Sequence, residues 1–156
     1  MSDDRTLANS SLCPPLAAVA AAARAEGRLL RLIVATGATL QVRISHIGTD
    51  YVAGDLETAE GAVAIIPGAS IVVVESEGPV GTGGHDTTRP MARSSFRALL
   101  TNSQRLSHRV IVHTAVGRHS GVIESVSLDA VVLGASSGSK RLVFIRHIVW
   151  VAVLGT

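Results

Sequence analysis

At 156 residues, with 47% hydrophobic and 17% charged side chains, the chain has the apolar material for a packed core and is too apolar to read as a disordered segment. Aromatic residues are only 3%, so Val, Ile, Leu and Ala must fill that core, and few rings remain to stack on nucleic-acid bases. The net charge of +2 is unevenly divided: five Arg face nine Asp and Glu up to Val80, whereas nine Arg and Lys face three Asp and Glu beyond it, which makes an acidic half and a basic half.

Cys13 is the single cysteine, which excludes an intrachain disulfide and a cysteine-rich zinc site and suits a reducing compartment, the cytoplasm. The acidic start Met1-Ser2-Asp3-Asp4 is unlike the basic front of a secretory signal. The Ala-rich run at 16–23 is too short to span a bilayer and is followed at once by Arg24 and Glu26, so no membrane partner is expected.

In chain order, residues 1–11 are polar and read as a disordered N-terminus. A helix is predicted over 15–26, where Pro15 suits a first helical turn. Strands follow over 29–35, 39–47, 51–54, 62–66 and 70–75, the first two joined by the turn Thr36-Gly37-Ala38. Residues 76–93 hold four Gly and two Pro without apolar periodicity and read as a flexible linker. A second helix over 95–106, capped by Ser94 or Ser95, is followed by strands over 108–115, 119–127, 130–135, 141–145 and 148–154. Loops 55–61 and 136–140 are polar and Gly-containing, as hairpin connections should be.

Helix plus five strands therefore occurs twice, and the copies can be superposed in sequence. A shift of 80 places Leu16, Val19 and Ala20 on Phe96, Leu99 and Leu100, and Leu30, Leu32 and Val34 on Val110, Val112 and Thr114. A shift of 79 then places Val42, Ile44, Ile47 and Asp50 on Gly121, Ile123, Val126 and Asp129. Carried on without a further gap, it places Ile65 and Ile66 on Phe144 and Ile145, Pro67-Gly68 on Arg146-His147, and Ile71 on Trp150. The domains so defined are 12–75, acidic, and 94–156, basic.

The order of a helix and five short strands, with a Gly midway along a bent second strand, resembles the Sm-like fold. The likeness is sharpest in the second copy, where Gly121-Val122-Ile123-Glu124-Ser125-Val126, Val131-Val132-Leu133 and Phe144-Ile145-Arg146-His147-Ile148 are similar to stretches of the Hfq-like members. Tandem copies of this shape also resemble actinobacterial proteins. The resemblance covers about 60 residues of each copy and implies two bent five-stranded barrels, mainly β. It also implies homo-oligomers joined through strand edges, as in a ring where three such chains would supply six barrels, and RNA as a ligand. Ser127 and Val131 stand where the wider family has an acidic residue and an Asn, so the family's usual uridine pocket is not expected here.

Arg146 and His147, at the junction of the last two strands, are the residues that this resemblance marks for base or phosphate contact. Arg118 and His119 beside the Gly117 turn, with Lys140 and Arg141 entering the fourth strand, add charge able to neutralise phosphates, or to keep a sheet edge from unwanted pairing. The spacing of His108, His113, His119 and His147 does not suit a metal, and no nucleophile–base set, P-loop or dinucleotide fingerprint occurs, so neither catalysis nor a cofactor is expected. Asp50 and Asp129 suit turns, and Trp150 suits a core or interface plug. Two functions compete: RNA binding through the basic copy, which is favoured, and protein scaffolding in which barrel edges pair with partner chains.

Overall fold

The computed structural model describes residues 11–58, 61–76 and 94–154. The expected disorder of residues 1–10 and the linker at 77–93 lie outside these. The elements are α1 (Pro14–Glu26), β1 (Leu29–Val34), β2 (Thr39–Ile47), β3 (Tyr51–Leu56), β4 (Val63–Pro67), β5 (Ile71–Glu75), α2 (Phe96–Arg105), β6 (Arg109–Thr114), β7 (Gly117–Val126), β8 (Ala130–Gly134), β9 (Lys140–Phe144) and β10 (Ile148–Leu154). Single 3-10 turns, Gly68–Ser70 and Ile145–His147, lead into β5 and β10. Apolar periodicity places all twelve long elements within two residues of these bounds.

Each helix starts and stops for local reasons. In α1, prolines occupy the first turn, where a missing N–H costs no bond, and Gly27 ends the helix at φ +66°. In α2, the Ser95 hydroxyl accepts from the Ala98 N–H at 3.1 Å. Leu16, Val19, Ala20 and Ala23 form the buried stripe of α1, while Phe96, Leu100 and Ser103 form that of α2. The second strand of each half is irregular at corresponding places, between Ile44 and His46 and between Ile123 and Ser125, and such bulges bend a strand. Gly121 permits the close approach of β8 to the bent β7, because a Cβ there would lie 2.6 Å from the Gly134 carbonyl oxygen.

All ten strands belong to one antiparallel sheet of order β5-β1-β2-β3-β4-β10-β6-β7-β8-β9. The sheet is open: among the described residues no ladder closes it, and β5 and β9 are its ends. The two halves meet where β10 pairs with β4, with Val151 opposite Ile65, Ala152 opposite Ala64 and Val153 opposite Val63. Their cores interleave there. Val149, Trp150 and Ala152 pack into the first half's core, and Tyr51, Ala53 and Ile65 into the second's.

The ladders correct the sequence superposition after the third strand. Gly54 faces Ala64 in the first half, whereas its counterpart Leu133 faces Arg141 in the second. The offset therefore falls from 79 to 77 because the β8–β9 hairpin is two residues shorter than its counterpart. Arg146 and His147 correspond to Ala69 and Ser70, not to Pro67 and Gly68, and Trp150 corresponds to Val73, not to Ile71. The β1–β5 and β6–β10 ladders agree, since Ile33 faces Val73 and His113 faces Trp150.

Candidate functional site

The six basic residues singled out from the sequence fall at three places in the second half. Arg118 and His119 open β7, Lys140 and Arg141 open β9, and Arg146 and His147 fill the 3-10 turn before β10. Three of them come together: His119, Arg141 and His147 line a cleft of about 420 Å³ whose wall is apolar, with Val116, Leu142 and Phe144. Arg141 donates to His119 Nδ1 at 2.6 Å. Arginine carries only donors, so this ring nitrogen is the acceptor.

The other three stand outside the cleft lining. Lys140 is paired with Glu124 at 3.0 Å. Arg146, exposed, donates from Nε to His147 Nε2 at 3.3 Å. Arg118, exposed, lies opposite His113 on β6. Burial pushes the His113 imidazole below its ordinary pKa, with the Arg118 charge as the lesser cause. His113 stacks on Trp150 with ring centroids 3.9 Å apart and planes 6° from parallel. Trp150 is 8% exposed and packs in the first half's core, which fits the core or interface plug expected of it better than a platform for bases.

The cleft runs along the free strand β9, where only Val143 is buried and Leu142 and Phe144 remain 58% and 47% exposed. At the other end of the sheet, β5 leaves Val72 and Val73 exposed by 66% and 42%. Glu75 closes that strand and pairs with Arg31 at 3.3 Å, with both side chains about half exposed. It borders a second cleft of about 550 Å³ that also holds Arg28 and Arg43. Arg28 bonds Ser76 Oγ at 3.0 Å and pairs with Glu26, and Arg43 bonds the Gly27 carbonyl. The edge residues Val72, Val73, Leu142 and Phe144 were not among the sequence candidates. The apolar run Ile71-Val72-Val73-Val74 lacks a polar face, and that was the available signal.

The β4–β10 joint has its own polar clamp. The Ser70 hydroxyl donates to the Val149 carbonyl at 2.5 Å. The turn between β2 and β3 grips the start of α2: Thr49 N–H donates to Ser94 O at 3.0 Å, Tyr51 OH and Ser94 Oγ share a bond of 2.6 Å, and Phe96 N–H donates to Asp50 at 2.7 Å. Asp50 thus holds a turn position, as its alignment with Asp129 suggested, but its hydrogen bond reaches across to the other half.

Among the described residues no three His, Cys, Asp or Glu side chains converge, and no helix is long and apolar enough to cross a membrane. Compared with protein-family models and with curated proteins, the chain matches none. Its own geometry therefore has to carry a functional reading.

Proposed function

We propose that this protein is a non-enzymatic, cytoplasmic assembly module of Sm-like type, whose copies join through the free strand edges of the sheet. The observation that carries this is the β4–β10 ladder. It is a joint between two like units, made by the fourth strand of one and the fifth strand of the other. One unused copy of each joining strand remains, β5 at one end and β9 at the other, and both present exposed apolar side chains. Unpaired edges that expose apolar side chains recruit strands unless they are blocked. A ring of tandem chains, each half bending toward a five-stranded barrel, follows if the rotation between units closes.

The test is molecular mass in solution. Multiples of the 16.1 kDa chain are expected, and Leu142→Lys should shift the population to the monomer by placing a charge in the joint. A wild-type chain that stays monomeric at high concentration overturns the reading.

A second reading, RNA binding through the basic half, is favoured by the exposed side chains of Arg118 and Arg146. In an assembled protein these two cations would stay available when the cleft of His119, Arg141 and His147 is covered. Retention on RNA that falls steeply as salt rises would support it. Retention on neither RNA nor DNA would leave assembly alone.

A further inference from the structure

The joint inside the chain specifies the joint between chains. Through the 77-residue offset of the fourth and fifth strands, the pairs Val151:Ile65, Ala152:Ala64 and Val153:Val63 translate into Val74:Leu142, Glu75:Arg141 and Ser76:Lys140. We infer that β5 of one copy docks on β9 of the next in this register, with the Glu75 carboxylate seated in the cleft of His119, Arg141 and His147. This rests on the strand-edge reading above and adds to it the partner, the register and the residues that select it.

The side chains at the two joints are exchanged as complementary sets. In the internal joint Trp150 and Ala152 meet a wall of Leu40 and Ala64, all buried in one core. At the corresponding positions of the external joint, Val73 and Glu75 would meet His119 and Arg141. The ring becomes smaller and the methyl becomes a carboxylate; across the joint, the alkyl groups become an imidazole and a guanidinium. The internal joint is therefore apolar and the external one carries opposite charges. Leu142, 58% exposed, takes the place of Ile65, which is 4% exposed within the core of the neighbouring half. The neighbouring copy would cover Leu142 in the same way.

Charge favours this joint over the symmetric ones. Two β5 strands paired antiparallel over their full length would put Glu75 opposite Ile71, and two β9 strands would put Arg141 opposite Val143, so neither pair gives Glu75 or Arg141 an opposite charge. Only the head-to-tail joint sets Glu75 against Arg141, and the occupant of the β9 cleft is therefore a second copy of this chain, presented head to tail. Glu75 need not leave Arg31 to reach Arg141, because a carboxylate has two oxygens and can accept from both guanidinium groups.

Sedimentation of the full chain and of two charge-reversed variants, Glu75→Arg and Arg141→Glu, tests this. Each variant alone should associate about tenfold or more weakly than the wild type, because every joint then opposes like charges. Mixed in equal amounts they should associate again, in complexes with an even number of chains in which the two alternate, since the two reversed side chains attract each other at one joint and the unchanged Glu75 and Arg141 do so at the next. Rescue on mixing also shows that both variants fold. Variants that assemble like the wild type, or weakened variants that mixing does not rescue, overturn the register while edge assembly itself stands. A wild-type chain that captures a foreign strand but not its own kind overturns the choice of partner. A wild-type monomer overturns the underlying reading.

Discussion

Asp50 accepts a hydrogen bond from the Phe96 backbone N–H at 2.7 Å, so a turn of the first half caps the first residue of the second half's helix. Burial raises the pKa of this carboxyl above its ordinary value, and its hydrogen bonds, first that from Phe96, oppose the shift.

Replacing Asp50 by Ala should cost about 1 kcal/mol, the usual effect of losing a cap, because the Phe96 N–H loses its acceptor. Asp50→Asn keeps an acceptor and removes the charge that burial disfavours. The raised folded pKa means that Asp50 contributes most below the unfolded value near 3.8 and loses that contribution as pH rises through the folded value. The Asn variant should therefore match or exceed the wild type at neutral pH. Urea unfolding of both variants at pH 7 checks the pair.

His113 titrates in the opposite sense. Its folded pKa lies below the unfolded value near 6.5, because burial and then Arg118 disfavour the imidazolium. Its stabilising contribution is full above pH 6.5 and is lost as pH falls through the folded pKa. Melting temperature should drop as the solution is acidified from about pH 7 to about pH 5. His113→Phe, which keeps a ring against Trp150, should flatten that part of the profile.

Trp150 is the largest side chain that β10 contributes to the first half's core. Trp150→Ala should cost about 3–5 kcal/mol, the range for emptying a buried aromatic site. Because the ring belongs to the β4–β10 joint, hydrogen exchange should show β4 and β10 losing protection before the outer strands do. Uniform loss across the sheet would mean that the joint is no weaker than the rest.

If RNA binds, Arg146→Ala should lower affinity ten- to hundredfold, equivalent to about 1.5–3 kcal/mol for a charge-assisted contact. The side chain is exposed, so folding should be unchanged. Arg118→Ala should weaken binding evenly across RNA sequences and reduce the salt slope by about one unit. Filter binding over a salt series distinguishes the two effects.

The elements were legible in the sequence because alternation in Leu30-Arg31-Leu32 and the stripe of Leu16, Val19 and Ala20 report burial directly. The superposition slipped where that signal is weakest. Both β3–β4 and β8–β9 hairpins are short polar loops, and apolar runs on either side tolerate a shift of two residues without changing face. The convergence of His119, Arg141 and His147 could not be read from spacing, since it depends on ladders among β6, β7, β8 and β9. Glu75 and Val73 gained meaning only from the strand that occupies the corresponding position at β4. Charge marked Arg118, Lys140 and Arg141, and the family resemblance marked Arg146 and His147, but neither signal names what lies across an edge.

One of every two joints in such an assembly is made when a chain folds, because β4 and β10 belong to the same polypeptide. That joint is unimolecular, so its formation does not depend on protein concentration. A closed ring of six units would need three encounters instead of six, and dilution could open only alternate seams. The species released would be whole chains with their internal joint intact, so disassembly should proceed in steps of two units and never of one.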